Sequence, residues 1–506
     1  MVNYESGREA KVEAPVNELE AFFQVFRENT IGYQTYFDSP YGRKEILYAD
    51  WIASGRLYRP IEDHILERIA PFIANTHTES NYTGTFMTRA YQLALKKIKE
   101  HVNAGPDDVI ITGGSGMTAM INKFQRILGL KACDSIGLAS NCIKKVDRPV
   151  VFITHMEHHS NHTSWLETTA EVVQLQPNKE LLVDLDDLRT KLAEYADRKF
   201  KIGAFTACSN VTGVSTPHHQ MAKIMHEHGG VCFVDFAASA PYSDIDMHPE
   251  DPMEKLDAIF FSPHKFLGGP GSSGVLIFDR SMYKSKVPDN PGGGTVDWTN
   301  PWGEYKYVDD IEAREDGGTP GFLQAIRTAL SIELKNQMGT KRMEQREREL
   351  LARAFPRLRA IPNLKILADN IEDRLGILSF YIEGLHYNLL VKMLNDRYGI
   401  QVRGGCACAG TYGHFLLDVS YEYSHTITEL INQGDLSHKP GWVRLSIHPT
   451  MTNGELDFIL SALEEIAQHF EVWGKDYVYD KKKNEFYHID FLSVDPNEIE
   501  QVFNLD

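Results

Sequence analysis

Two residues near the middle of the chain are of types that can do chemistry together. Asp235 closes the apolar run Val231-Cys232-Phe233-Val234-Asp235, and Lys265 follows a second run, Ala258-Ile259-Phe260-Phe261, in the frame Ser262-Pro263-His264-Lys265. An amine in a largely apolar setting can lose its proton and form a Schiff base with an aldehyde. A carboxylate facing a pyridine nitrogen keeps that nitrogen protonated, so the ring becomes an electron sink. Singly, the two also read as a surface lysine after a strand and a capping aspartate. The pair together suggests pyridoxal 5'-phosphate.

Other stretches supply chemistry of the same kind. The strand-like DDVIIT runs into Gly113-Gly114-Ser115-Gly116 and then Met117-Thr118, a strand, turn and helix start that offers free N–H groups and a positive helix end to a phosphate. Many strand-helix turns look similar. After the run VVFIT come His155-Met156-Glu157-His158-His159. Clustered histidines invite a metal, but His158 and His159 are adjacent and point in different directions, so a ring stacked on a flat cofactor and two ordinary loop histidines stand beside that reading. The segment VRGGCACAG carries Cys406 and Cys408: a reactive thiol pair, half a metal site without a second pair of suitable spacing, or buried inert cysteines.

The elements that must position these residues alternate. Apolar runs at 150–154, 171–175, 202–210 and 231–236 alternate with helical stretches such as 184–198 and 218–228, and runs at 258–262 and 274–278 follow across polar or Gly/Pro-rich turns, which predicts a mostly parallel, doubly wound α/β sheet. Such a sheet binds ligands at the carboxyl ends of its strands. Past Phe278 the pattern breaks into a Gly/Pro-rich crossover with PGGGTVDW and REDGGTPGF. Helices near 323–338 and 341–354 then lead to a small α+β lobe with strands LGILSFYI, IQVRGG and WVRLSIH, and a closing helix over 454–470. The expected organisation is an N-terminal arm over 1–45, a large domain over 46–320, a small domain over 321–470 with N-terminal contributions, and an extension over 471–506 whose residues 476–490 read as a hairpin.

Composition narrows the function classes. The 506 residues are 42% hydrophobic and 24% charged, enough for a sizeable core, and the net charge of -18 argues against general affinity for nucleic acid or anionic membranes. Six cysteines without regular pairing do not make a disulfide scaffold. No run approaches the roughly 18 apolar residues of a membrane span, and the acidic N-terminal stretch lacks an apolar signal core, so the expectation is a cytoplasmic protein acting on small molecules or proteins.

With these pieces in order, residues 45 to 470 resemble the class V aminotransferases, and within them the cysteine desulfurases and selenocysteine lyases. The resemblance implies fold type I, with a seven-stranded, mostly parallel sheet in the large domain, and pyridoxal phosphate as cofactor. SGMTAMIN is similar to the family's phosphate turn, which assigns Gly116, Met117 and Thr118 to the phosphate. MEHHSN resembles the segment whose histidine, His158, stacks on the ring and can assist catalysis. CSNVTG puts Asn210 at the 3-hydroxyl side, and VDFAAS puts Asp235 at the pyridine nitrogen. FSPHK makes Lys265 the Schiff-base residue, with Ser262 and His264 at the phosphate.

REDGGTPG resembles a motif whose threonine, Thr319, reaches the phosphate of the opposite subunit, so a homodimer is implied. WVRLSIHPT assigns Arg444 to the substrate carboxylate, a task suited to a bidentate guanidinium; a surface salt bridge is the plainer alternative. VRGGCACAG resembles both the RTGHHCA loop of desulfurases and the RTGCFCN loop of molybdenum-cofactor sulfurases, and both align the sulfur-accepting cysteine with Cys408. Cys406 is then a neighbour that can act as a resolving thiol. The implied activity takes sulfur or selenium from L-cysteine or L-selenocysteine, leaves L-alanine, forms a persulfide on Cys408 and hands the product to an acceptor protein. An aminotransferase, epimerase or C–S lyase with a structural Cys408, and a non-catalytic scaffold, are the alternatives. Two departures stand out: Ala238 replaces the family's glutamine, and residues 411–441 are an insertion expected to reshape the pocket entrance.

Overall fold

The computed structural model describes residues 17–76, 78–131, 147–492, 494 and 496–505; the first 16 residues of the expected arm lie outside them. Seven strands form the central sheet: β1 (Asp108–Gly113), β2 (Val150–Ile153), β3 (Glu171–Gln174), β4 (Lys201–Thr206), β5 (Val231–Asp235), β6 (Ala258–Phe261) and β7 (Gly274–Asp279). Their order is β1-β7-β6-β5-β4-β2-β3. Strands β6, β5, β4, β2 and β3 run parallel, and β7 is antiparallel to both its neighbours.

The continuous apolar runs follow from burial on both faces. Phe152, Phe205, Val234, Ile259 and Ile277 pack into one core. Val151, Ala204, Phe233, Phe260 and Leu276 pack into another on the opposite face. Alternate side chains of one strand therefore serve different cores, and a polar residue in mid-strand would be stranded in either. Helices are stopped and started by their caps: Asn81 accepts the Gly84 N–H at the head of Tyr82–His101, and Asp184 caps Leu185–Glu194.

A second, four-stranded antiparallel sheet follows, made of β8 (Leu364–Ile366), β9 (Ile377–Ile382), β10 (Arg403–Gly405) and β11 (Trp442–Ser446) in the order β8-β9-β11-β10. Helices Thr340–Ala360, Tyr387–Tyr398 and Asn453–Trp473 cover it, the last opened by a capping box of Thr452 and Glu455. Their common core takes Ala49 from the N-terminal part of the chain, and Leu47–Tyr48 pairs in parallel with Ile400–Gln401. The tail hairpin forms between Tyr477–Asp480 and Glu485–His488.

Residues 411–441 fold as two helices, Gly410–Leu416 and Tyr421–Asn432. The first is pinned by Tyr412, which is buried and meets the His155 ring edge-on at 5.4 Å. The tail hairpin braces the end of the insertion. Asn484 Nδ2 donates to the Tyr387 hydroxyl (2.7 Å), which donates to the Lys439 carbonyl (3.2 Å). The crossover after β7 contains a hairpin, Val296–Thr299 with Tyr305–Tyr307, in a stretch whose glycines and prolines read as irregular.

Candidate active site

Five strand ends converge on one cavity of about 260 Å³. After β1 the chain turns at Gly114 and Gly116 into the helix Met117–Ile127. The Met117 N–H donates to Ser262 Oγ (2.9 Å), and a Cβ at Gly116 would lie 2.9 Å from the same oxygen, so a larger residue would push the turn off β6. The Met117 side chain is buried in the sheet core, leaving its backbone to the site. The Thr118 and Ser160 hydroxyls meet at 2.6 Å on the cavity wall.

Beyond β2, Glu157 is buried and accepts from Thr154 Oγ1 (2.6 Å), Asn161 Nδ2 (2.7 Å) and the Thr206 N–H (2.9 Å), tying the ends of β2 and β4 together. Burial pushes its carboxyl up to about 8. His158 next to it caps the helix His159–Leu166: its Nδ1 accepts the Ser160 N–H (3.1 Å), which leaves the ring proton on Nε2. Burial, helped by the Lys265 charge, depresses His158 to about 3, so the imidazole is neutral at working pH.

Asp235, at the end of β5, is buried and accepts the Ala237 N–H (2.8 Å). Desolvation lifts its carboxyl to about 6. Beyond β6 a short turn carries Ser262, His264 and Lys265 into the cavity. Burial brings the Lys265 amine down to about 8; Asp235 opposes that shift, and Arg444 and Arg403 add to it. His264 is lowered to about 4, by burial first and Lys265 second.

The facing wall comes from the second sheet. Arg444 of β11 is almost fully buried, donating from Nη2 to Asp50 Oδ1 (2.8 Å) and from Nη1 to the Asn210 carbonyl (3.2 Å). The other Asp50 oxygen accepts from Arg403 Nε of β10 (3.2 Å). Cys408 is exposed at the rim, in a turn where Ala407 (φ +50°) and Cys408 (φ +57°) are both left-handed. Each such residue costs about 1–2 kcal/mol unless its surroundings hold it. Here the Ala407 carbonyl accepts from Asn210 Nδ2 (2.7 Å), the Cys408 carbonyl accepts the His159 N–H (2.8 Å), and the Gly410 N–H donates to His159 Nε2 (3.0 Å).

Of the residues singled out from sequence, Gly116, Met117, Thr118, His158, Asn210, Asp235, Ser262, His264, Lys265, Cys408 and Arg444 all line this cavity. Thr319 does not: it is exposed, in the turn after Gly317 and Gly318. Ala238 lines the wall where the family's glutamine would stand. Asp50, Arg403, Glu157 and Ser160 were missed. Asp50 had a signal, an acid at a strand-like end before the small-residue loop Ile52-Ala53-Ser54-Gly55. Among the described residues, no group of three or more His, Cys, Asp and Glu side chains could hold a metal, and no helix is long and apolar enough to cross a membrane.

The site fits pyridoxal phosphate on its own geometry. The buried Oδ1 of Asn210 has no hydrogen-bond partner among the described residues, as suits an atom that meets a ligand hydroxyl. A helix start with hydroxyls from Thr118, Ser160 and Ser262 suits a phosphate, and the Asp235 carboxyl suits a pyridinium. A parallel sheet with these groups at its strand ends, and a lysine shifted toward its neutral form, defines a fold type I pyridoxal-phosphate enzyme. The family model for aminotransferase class-V matches residues 47–459, and the chain belongs to that family.

Similar proteins agree. The chain is 28% identical over 373 residues to a probable cysteine desulfurase of Halalkalibacterium halodurans, covering 72% of this chain and 84% of that protein. It is 29% identical, with the same coverage, to one of Staphylococcus epidermidis. In fold it is similar to the apo cysteine desulfurase of Thermococcus onnurineus NA1, with a TM-score of 0.67 and 22% identity over 84% of this chain and 95% of that one. A cysteine desulfurase from Escherichia coli, in its S-sulfonic acid form, also gives a TM-score of 0.67, with 22% identity over 90% of this chain and 99% of that one.

Proposed function

We propose that this enzyme is a cysteine desulfurase that converts L-cysteine to L-alanine and carries the sulfur on Cys408. The observation that carries the reading is the placement of Cys408 on the same cavity as Lys265 and Arg444, held at its rim by an otherwise costly left-handed turn. The two curated relatives named probable cysteine desulfurases support it.

When bound, pyridoxal phosphate supplies the aldehyde for the Lys265 amine and a conjugated ring that takes up electrons from the substrate carbon. Arg444 binds the substrate carboxylate through its guanidinium while Asp50 fixes its orientation. Lys265, with its amine near neutrality, removes and returns protons at the substrate α-carbon, and neutral His158 lies against the same space. The Cys408 sulfur attacks the substrate sulfur. A sulfur–sulfur bond forms, the substrate carbon–sulfur bond breaks, its electron pair stays with the substrate carbon, and a proton completes alanine. The thiol is then a persulfide for an acceptor protein to collect, and rim exposure of Cys408 suits such a hand-over.

L-Selenocysteine fits the same groups and is proposed as a second substrate. A homodimer is supported by Thr319, which stands exposed on a Gly-Gly turn away from its own cavity and is available to the phosphate of a second copy. We also propose the division into a large domain over 46–320 and a small one over 321–470, and a cytoplasmic setting. The test incubates the yellow enzyme with L-cysteine and a reductant and measures alanine and sulfide together. Equal amounts of both are expected; sulfide with pyruvate in place of alanine would make the enzyme a C–S lyase.

A further inference from the structure

Cys406 stands two residues before Cys408, and the sulfur transfer proposed above does not use it. The Cys406 carbonyl accepts the Ala409 N–H (3.0 Å), closing a four-residue turn whose two central residues are both left-handed. The first and third residues of such a turn have Cα atoms about 5.5 Å apart, inside the range of about 4.4–6.8 Å that a disulfide bridges. The turn is fixed from outside: Asn210 holds the Ala407 carbonyl and the His159 N–H holds that of Cys408. Both thiols are free, Cys406 half-buried and Cys408 exposed. Gly405, at φ +110° with open space where a Cβ would stand, gives the strand feeding the pair room to adjust.

We propose that Cys406 is the resolving thiol of the Cys408 persulfide and releases its sulfur as free sulfide. The proposal rests on the desulfurase reading above. The Cys406 thiol attacks Cys408 Sγ; the Cys406–Cys408 bond forms, and the bond from Cys408 to the outer sulfur breaks. The outer sulfur leaves with the electron pair as HS⁻, and the Cys406 proton passes to water. The sulfane sulfur is reduced by two electrons while the two thiols are oxidised by two, so the step balances without an external oxidant. A dithiol reductant then opens the disulfide for the next turnover. The release competes with hand-over to an acceptor protein.

The test reacts the anaerobic holoenzyme with no more than one equivalent of L-cysteine and no other thiol, and measures sulfide, alanine and the mass of the peptide spanning 404–410. The wild type is expected to release close to one sulfide per alanine in its first turnover and to leave that peptide about 2 Da lighter. In Cys406→Ser, sulfide per alanine is expected to fall about tenfold or more, and the peptide to stay about 32 Da heavier, with the extra sulfur on Cys408. Alanine formation with the added sulfur retained on wild-type Cys408 and no disulfide would overturn the proposal while leaving the desulfurase reading intact. A parallel arm loads Cys408 with inorganic polysulfide instead of L-cysteine. If no alanine forms in the first arm, the desulfurase reading fails, and this arm still decides the proposal by the lighter or heavier peptide.

Discussion

The cavity wall that carries Lys265 and the wall that carries Cys408 hold their residues in different ways. On the first, the groups stand at the ends of strands buried on both faces, and those ends are tied by bonds such as that of Glu157 to Thr206 between neighbouring strands and that of Ser262 to Met117 across β7. On the second, Arg444 sits on a strand of the small antiparallel sheet, Arg403 is exposed, and Cys408 is held by three hydrogen bonds that its turn makes to Asn210 and His159. A cofactor ring needs fixed angles, which a parallel sheet supplies. A sulfur carrier must meet both substrate and acceptor, which a braced loop at the rim permits.

Substitutions on the two walls should therefore fail differently. Lys265→Ala is expected to lose the visible absorbance and slow alanine formation by about a thousandfold or more, since amine chemistry has no substitute there. A yellow Lys265→Ala enzyme would move the attachment site elsewhere. Asp50→Asn leaves the buried Arg444 without its counter-charge. About a tenfold rise in KM for L-cysteine is expected, larger than the change in kcat; an unchanged KM would remove Asp50 from substrate binding.

Tyr412→Ala empties a buried site behind the Cys408 turn and is expected to cost about 3 kcal/mol of stability, read from denaturant midpoints. Visible absorbance at saturating cofactor should survive, and alanine formation should fall several-fold. Loss of absorbance without loss of stability would tie this helix to the cofactor wall instead. A last effect, which leaves every residue in place, is expected in pH. Burial brings the Lys265 amine to about 8, below the ordinary lysine value, so it is protonated and unreactive below that pH and neutral above it. Reconstitution of the apoenzyme with pyridoxal phosphate should quicken up to about tenfold per pH unit toward 8 and level off beyond. A rate still climbing at pH 10 would mean an amine that burial has not shifted.

The cofactor wall was legible in the sequence because its signals are local: an apolar run, a turn and a functional residue fall within about ten positions, as with β5 and Asp235 or β6 and Lys265. The second wall was legible only in part. Arg444 and Cys408 stand in recognisable segments, but Asp50 acquires its role from partners 353 and 394 positions away, which no local pattern reveals. Glu157 stood inside the histidine segment and was passed over because burial, not spacing, makes it the tie between two strands. The helix expected over 341–354 runs to Ala360 because Phe355 and Leu358 bury in the small core, which outweighs Pro356. The 296–307 hairpin was hidden by the glycines before it, whereas the longer helix of the insertion had a signal, since Tyr423, Ile427, Leu430 and Ile431 recur at helical spacing.

The most direct test of the division between the walls is Cys408→Ala, followed by visible spectrum and alanine formation after L-cysteine is added. The variant is expected to stay yellow, to change its spectrum on binding L-cysteine as the wild type does, and to form alanine at least a hundredfold more slowly. Undiminished alanine formation would contradict the account, leaving Cys408 as structure and the sulfur chemistry to the cofactor wall alone.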